Sequence, residues 1–191
     1  GRAGTSLPTS ELLKFQLAHA QAIDAVHSPL NGELLCEQLA ALSYQQQPLT
    51  LQSVKSEAEG RLVYLQRPDL GRKLSEASTY SLQNLREKES FDLAIVIADG
   101  LSATAVMQQS VPFLTALLTQ LETSQPAWTL APVTVVEQGR VAIGDDIAQA
   151  LNAQMVVVLI GERPGLSSPD SLGIYLTWQP KPGCDDGKRN C

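Results

Sequence analysis

The sequence has few aromatic residues, few cysteines and no long hydrophobic run. Aromatic residues make up 5% of its 191 residues, so aliphatic side chains must fill the core. The three cysteines are odd in number and form no Cys-x-x-Cys pair, which favours a reduced, intracellular protein over a secreted disulfide scaffold. No apolar run approaches the roughly 20 residues of a membrane-spanning helix, so we expect no membrane partner.

Positive charge is also scarce. Fourteen Lys and Arg residues stand against twenty Asp and Glu residues, giving a formal net charge of -6. The longest basic cluster is Lys188-Arg189. Because such a surface repels phosphate backbones, we expect no nucleic-acid partner. The apolar share of 43% and the charged share of 18% are typical of a soluble globular protein.

The two ends of the chain have no features of natural termini. The start, Gly1-Arg2-Ala3-Gly4, has neither an initiator Met nor the apolar core of a signal peptide. The end, Cys191, follows Lys188-Arg189-Asn190 directly. We therefore expect that sequence is missing at both ends.

The first quarter of the chain has helical spacing. Thr9 or Ser10 can cap a helix that runs through about Val26. A second, short helix is expected from about Gly32 to Leu42, and residues 45–48 are interpreted as a linker. The sequence thus predicts a helical N-terminal segment over 1–48 and a separate domain over 49–191.

The pattern changes to short apolar runs after residue 48. We predict strands at 49–54, 62–65, 93–98, 133–136, 155–160 and 172–178. We predict intervening helices from about Lys73 or Ser75 to Lys88, at 104–122 and at 145–152. Continuous β-branched runs are typical of strands covered on both faces, and alternation with helices indicates parallel crossovers. The expected fold is α/β, a Rossmann-like doubly wound, mainly parallel sheet preceded by the short helical N-terminal segment.

Glycine-bearing loops follow three of these strands, and in such sheets ligands bind beyond the carboxyl ends of the strands. The loops are Asp99-Gly100-Leu101-Ser102, Gln138-Gly139-Arg140-Val141 and Gly161-Glu162-Arg163-Pro164-Gly165. Their glycines allow close approach of the main chain, and the Asp99 and Glu162 carboxylates can accept hydrogen bonds from amides. A bulky, amide-rich, weakly anionic ligand such as a corrin suits these loops. Many other ligands do too, and ordinary turns, helix caps and surface ion pairs use the same residues.

The common catalytic signatures are absent. The chain has no phosphate loop, no Gly-x-Gly-x-x-Gly after its first buried strand and no nucleophile elbow. Its two histidines, His19 and His27, fall in the helical segment, where we interpret them as surface or capping residues. We therefore predict no catalytic residue and no metal ligand. A free-standing, flavodoxin-like module for a nucleotide or flavin stays open as an alternative.

Several segments, in their order and spacing, resemble the small subunit of adenosylcobalamin-dependent ethanolamine ammonia-lyase. They are Arg2-Ala-Gly-Thr5, Arg67-Pro-Asp-Leu-Gly-Arg72, Ile97-Ala-Asp-Gly-Leu-Ser102, Gly139-Arg-Val141, Gly161-Glu-Arg-Pro-Gly165 and Lys188-Arg-Asn-Cys191. The resemblance implies a hetero-oligomer with a large catalytic subunit, with adenosylcobalamin between the two. It implies radical deamination of ethanolamine to acetaldehyde and ammonia, in the bacterial cytoplasm and inside a microcompartment.

The resemblance also assigns site residues. Val141, Glu162 and Cys191 match the family's cobalamin contacts, and the position of Asp99, Gly100 and Ser102 at the same predicted edge adds these three. The chain lacks the Asp-x-His-x-x-Gly motif by which other cobalamin proteins replace the lower base of the cofactor. A base-on cofactor is therefore implied, and no residue of this chain is expected to ligate cobalt.

Overall fold

The computed structural model describes Gly4, residues 7–86 and residues 90–191. The helices within these residues are α1 Thr9–His27, α2 Gly32–Leu39, α3 Arg61–Gln66, α4 Glu76–Gln83, α5 Ala103–Glu122 and α6 Ile143–Leu151. The strands are β1 Ser43–Tyr44, β2 Gln47–Pro48, β3 Leu51–Lys55, β4 Phe91–Ala98, β5 Val133–Glu137, β6 Ala153–Gly161, β7 Leu172–Trp178 and β8 Arg189–Asn190.

A six-stranded, mainly parallel sheet organises the chain. Its strand order is β3-β5-β4-β6-β7-β8. The first four strands pair in parallel, whereas β7 and β8 are antiparallel additions at one edge. The α/β class and the mainly parallel sheet that the sequence predicts are therefore confirmed.

Helices cover both faces of this sheet. One core contains Ile143 and Ile147 of α6 and Leu82 of α4, packed with Val96 and other residues of the sheet. The other core contains residues of α2 and α5, including Leu35 and Leu114, packed on the opposite face. Residues 93–98 of β4 are buried on both faces, and this part of the strand is accordingly apolar without interruption.

Most predicted elements are present, but the strand expected at 62–65 is wrong. Residues 61–66 form α3, which begins after Gly60, where the Tyr64 N–H donates to the Gly60 carbonyl. Tyr64 is fully buried while Leu62 is 65% exposed. A run of four apolar residues is compatible with a helix or a strand, because it is too short to show a period. The linker expected at 45–48 is instead part of a two-stranded hairpin of β1 and β2.

Two other expectations fall partly outside the described residues. The predicted helix end at Lys88 lies there, and α4 ends earlier, at Gln83. Arg2, Ala3 and Thr5 of the first family-like segment also lie outside them. The division of the chain at residue 48 stays a prediction. None of the helices that the structure describes is long and apolar enough to cross a membrane.

A buried ion pair fixes the last residues of the chain against α6. The Arg189 guanidinium donates to both Asp145 carboxylate oxygens, at 2.8 and 2.7 Å. The two side chains are only 3% and 1% exposed. Arg189 also donates to the Thr177 hydroxyl of β7. This pair holds β8, and with it the adjoining Cys191, beside the sheet.

We expect Asp145→Asn to lower the free energy of unfolding by about 3–5 kcal/mol, because it leaves a buried guanidinium without its carboxylate. Asp186→Asn is the matched control, since Asp186 also pairs with Arg189 but is 68% exposed; its cost should stay near or below about 1 kcal/mol. Urea unfolding of both variants measures the difference. Equal losses would show that the buried pair does not anchor this segment.

Candidate functional site

The three glycine-bearing loops meet at the carboxyl edge of the parallel strands. They follow β4, β5 and β6, which are parallel neighbours in the sheet. Gly100 has φ +55 and packs against the main chain of Gly161. The Leu101 N–H donates to the Gly161 carbonyl at 2.8 Å. The expected clustering of these turns on one edge is therefore seen in the folded chain.

Asp99 is the buried centre of this edge. Its carboxylate has no exposed surface and accepts a hydrogen bond from the Gly139 N–H at 3.0 Å. Arg61 Nη1 lies 3.3 Å from its other oxygen. Burial raises the pKa of Asp99 to about 6, although Arg61 and three backbone N–H groups favour the ionised form. In this structure Asp99 joins the loops after β4 and β5 and presents no atom to the surface.

Arg61, the first residue of α3, connects the same loops to the N-terminal helix α1. Its Nε donates to the Val26 carbonyl at 2.7 Å, and its Nη1 donates to the Gly100 carbonyl at 2.8 Å. The side chain is 11% exposed. Arg61 thereby joins the end of α1, the loop after β4 and the Asp99 carboxylate in one buried contact set.

Ser102 has a capping role. Its hydroxyl accepts from the Ala105 N–H at the start of α5 and donates to the Pro169 carbonyl at 2.8 Å. Like Asp99 it has no exposed surface. The structure therefore brings Asp99, Gly100 and Ser102 together beneath the edge rather than on its surface.

Tyr64 supports the loop that carries Val141. Its hydroxyl donates to the Gly139 carbonyl at 3.0 Å. Its ring lies 5.0 Å from the Arg61 guanidinium carbon and 4.3 Å from that of Arg140, at cation–π distance. Burial raises the pKa of Tyr64, so the hydroxyl stays a donor. The loop after β5 is thus held by both the oxygen and the ring of one side chain.

An open groove of about 380 Å³ lies beside this loop. It is lined by Pro68, Arg72, Arg140, Val141, Ala142, Tyr175, Asp186, Arg189 and Cys191. Val141 and Cys191, which are fifty residues apart in the chain, therefore share one surface. The ion pair of Arg189 with Asp145 is what brings Cys191 to it.

Glu162 lies next to the groove through Tyr175. The Tyr175 hydroxyl donates to Glu162 Oε1 at 2.7 Å, and this hydrogen bond raises the pKa of Tyr175 to about 12. The Glu162 side chain lies over Gly173, where a Cβ would overlap its carboxylate. Glu162 is partly exposed and keeps acceptor capacity for a ligand.

Sequence reasoning missed Tyr64, Arg140 and Tyr175. Arg140 belongs to the segment Gly139-Arg-Val141, but its stacking on Tyr64 depends on α3, where the sequence predicts a strand. Tyr175 could have been found from its alternation with Gly173 on β7, which places both on the face that Glu162 covers.

Neither histidine is among the residues that line the groove. His19 and His27 are exposed on α1, so their interpretation as surface residues is confirmed. Within residues 7–86 and 90–191 we find no group of three or more His, Cys, Asp or Glu side chains that could hold a metal ion. The surface residues of the site offer hydrogen bonds and apolar contacts.

Fold and site together describe an α/β protein with an open, partly polar groove at the carboxyl edge of a mainly parallel sheet. Comparison with known proteins identifies the family: the model of the ethanolamine ammonia-lyase light chain (EutC) matches residues 1–191. The chain belongs to this family, as its motifs predict.

Curated relatives carry the name ethanolamine ammonia-lyase small subunit. The protein of Pseudomonas fluorescens strain Pf0-1 is 55% identical over 193 residues, covering 100% of this chain and 68% of the relative. Those of Pseudomonas aeruginosa strain UCBPP-PA14 and Pseudomonas syringae pv. tomato are 53% and 52% identical, and the chain covers 68% and 65% of them.

We expect Gly161→Ala to destabilise the protein by about 1–3 kcal/mol, the usual cost of overpacking. Its Cβ would overlap the carbonyl oxygen of Ser102 and lie 2.6 Å from that of Asp99, and both belong to buried main chain. Gly165→Ala is the control, because the nearest atom to its Cβ would be 3.8 Å away. Thermal unfolding distinguishes them, and equal stability of the two variants would contradict the tight crossing of the loops.

We expect the stability of the protein, relative to Asp99→Asn, to fall as pH rises from about 4 through about 6. The ordinary pKa of 3.8 applies to the unfolded chain and about 6 to the folded one, so the folded state binds the proton more tightly in this window. The stabilisation is complete below the unfolded pKa and lost above the folded one. Denaturation at several pH values measures it, and a flat difference over this range would argue against the raised pKa.

Proposed function

We propose that this chain, as the small subunit of ethanolamine ammonia-lyase, forms one side of a base-on adenosylcobalamin site at its interface with the large catalytic subunit. The observation that carries the proposal is the shared groove surface of Val141 and Cys191, with Glu162 hydrogen-bonded to its wall. The Rossmann-like, doubly wound description of the domain belongs to the same proposal, since helices pack on both faces of the sheet.

The groove fits part of such a ligand. Its lining combines apolar surface at Val141 and Ala142 with hydrogen-bonding groups at Arg140 and Tyr175. A corrin has an apolar macrocycle bordered by amides, so both kinds of surface have a complement. Because a corrinoid is larger than this open groove, a second surface must cover the remainder, which is the part we assign to the large subunit.

Each site residue has a distinct part in this proposal. Val141 contacts the cofactor through its backbone or side chain, Glu162 accepts hydrogen bonds from amide N–H groups, and Cys191 lines the wall. The Tyr175 hydroxyl holds the Glu162 carboxylate in one orientation. Asp99, Gly100 and Ser102 are buried. They therefore position the loops and do not contact the cofactor themselves.

The division of labour follows from the chemistry of the site. When bound, adenosylcobalamin supplies a carbon-centred radical by homolysis of its cobalt–carbon bond, for deamination of ethanolamine to acetaldehyde and ammonia. The residues of this chain bind and orient the cofactor. The substrate site lies in the large subunit under this proposal. Neither His19 nor His27 of α1 lines the groove, so this chain would supply no ligand to cobalt.

The partner-facing surface includes exposed apolar side chains beside the same edge. Leu62 of α3 is 65% exposed and follows Arg61, while Leu166 is 49% exposed just beyond the loop after β6. We assign the large subunit as the partner, since the relatives' name, small subunit, implies one, and we propose the bacterial cytoplasm, within a microcompartment, as the setting.

Reconstitution tests the proposal directly. The chain, the large subunit and their complex are each incubated with adenosylcobalamin, then assayed for retained cofactor colour and for acetaldehyde release from ethanolamine. We expect tight cofactor retention and acetaldehyde only with the complex. Acetaldehyde from this chain alone, or equal cofactor retention by the large subunit without it, would contradict the assigned role. A yellow chromophore retained from cell extract would favour the flavin-binding alternative.

We expect Glu162→Ala to weaken adenosylcobalamin binding by the complex by about 1–3 kcal/mol, the scale of a lost charge-assisted hydrogen bond. Glu137→Ala is the matched control: Glu137 also ends a parallel strand, but it faces Lys55 at 3.4 Å, away from the groove. Cofactor titration followed by visible absorption gives both affinities. An unchanged affinity in Glu162→Ala would leave these loops with only a structural role.

A further inference from the structure

The three arginines that line the groove differ in how their charges are compensated. Arg189 is bound to Asp145 through both carboxylate oxygens and also reaches Asp186. Arg72 is 49% exposed and lies 3.7 Å from Asp186. Arg140, by contrast, has no carboxylate within ion-pair distance among the residues that the structure describes.

Arg140 is nevertheless held firmly. Its backbone N–H donates to the Gly71 carbonyl at 2.7 Å, and its guanidinium carbon lies 4.3 Å from the centre of the Tyr64 ring. A guanidinium that stacks on a ring keeps its N–H donors in the plane of the group, free for another partner. The Tyr64 ring therefore orients the cation without using its donors.

One of those donors is covered but unsatisfied. Arg140 Nε is shielded from solvent and has no hydrogen-bond partner among the described residues. Leaving such a donor unpaired is costly, and a bound ion or ligand is one of the explanations for it; of the three such atoms among the described residues, only Arg140 Nε belongs to a residue of the groove. An oriented guanidinium with an unused Nε matches an oxyanion, which accepts two parallel N–H bonds.

The ligand of the proposed function contains one such group. Base-on cobalamin carries a single phosphodiester, in the loop that links the corrin to its lower base, and its other polar side groups are uncharged amides. We propose that Arg140 binds this phosphodiester and so selects corrinoids that carry it. This inference rests on the proposed function and adds to it the recognition of one chemical group by one residue.

The test compares three corrinoids on the complex with the large subunit in phosphate-free buffer. Adenosylcobalamin has the phosphodiester and the base, adenosylcobinamide phosphate has a phosphate but no base, and adenosylcobinamide has neither. Dissociation constants are measured by absorption titration for wild type, Arg140→Gln, Arg140→Lys and Arg86→Gln. Arg86 is exposed beyond α4, near Asn152 at the opposite edge of the sheet, and is the control.

For the wild type we expect adenosylcobinamide phosphate to bind about 10- to 100-fold more tightly than adenosylcobinamide, the range for a hydrogen-bonded charge. Arg140→Gln should bring this ratio close to one, and Arg140→Lys should keep part of it as a point charge. Arg86→Gln should keep the wild-type ratio. Because each ratio is internal to one variant, general loosening of the loop cancels.

The outcomes separate this inference from the proposed function. A wild-type ratio close to one, or a full ratio in Arg140→Gln, overturns the assignment of the phosphodiester to Arg140 while cofactor binding itself stands. If the wild-type complex binds adenosylcobalamin with the same affinity as the large subunit alone, the proposed function fails as well. Thermal unfolding of Arg140→Gln, expected to be close to wild type, excludes loss of folded protein as the cause.

Discussion

The buried contact of Asp99 with Arg61 is the constraint on which the edge of the sheet depends. Two charged side chains with 0% and 11% exposure meet beneath the loops, where each would be costly alone. Their cost is offset by additional hydrogen bonds, from the Gly139 N–H to Asp99 and from Arg61 to two backbone carbonyls. These hydrogen bonds require α1, α3 and the loops after β4 and β5 to take one arrangement, although Arg61 Nη2 is left without a partner among the described residues. Such a set specifies geometry more than it adds stability.

The shape of the groove depends on the arrangement of α1, α3 and these loops. Tyr64 extends the set outward, with its hydroxyl on the Gly139 carbonyl and its ring under Arg140. The opposite wall comes from the buried Arg189–Asp145 pair, which places β8 against β7. Two buried ion pairs, one under each side, therefore determine how far apart Val141 and Cys191 lie. The glycines of the three loops chiefly allow the loops to pack on one another, since a Cβ on Gly100 or Gly161 would overlap protein atoms.

The parallel sheet and the position of the loops could be predicted from the sequence because the signals are local. Continuous apolar runs such as 93–98 and 155–160, which alternate with helical segments, are typical of strands buried on both faces. The α3 segment could not be predicted in this way, since four apolar residues carry no clear period. In the folded chain the Tyr64 ring packs on Gly71 and its hydroxyl donates to the carbonyl of Gly139, which is distant in the chain. The roles of Arg140 and Tyr175 likewise depend on contacts in the folded chain, with Tyr64 and Glu162, and could not be predicted from local pattern.

The burial of Asp99 and Ser102 changes how the site is understood. Proximity to the carboxyl edge placed them among the candidate ligand contacts, but a side chain at such an edge can face inward as well as outward. Asp99 faces inward because Arg61 and the Gly139 N–H need an acceptor there, and Ser102 because α5 needs a cap. Glu162 and Arg140 are by contrast partly exposed: Arg140 lines the groove, and Glu162 is hydrogen-bonded to the groove residue Tyr175. Under the proposed function, exposure at the groove together with unused hydrogen-bonding groups, rather than position along the strand, therefore distinguishes a ligand contact from a structural residue on this edge.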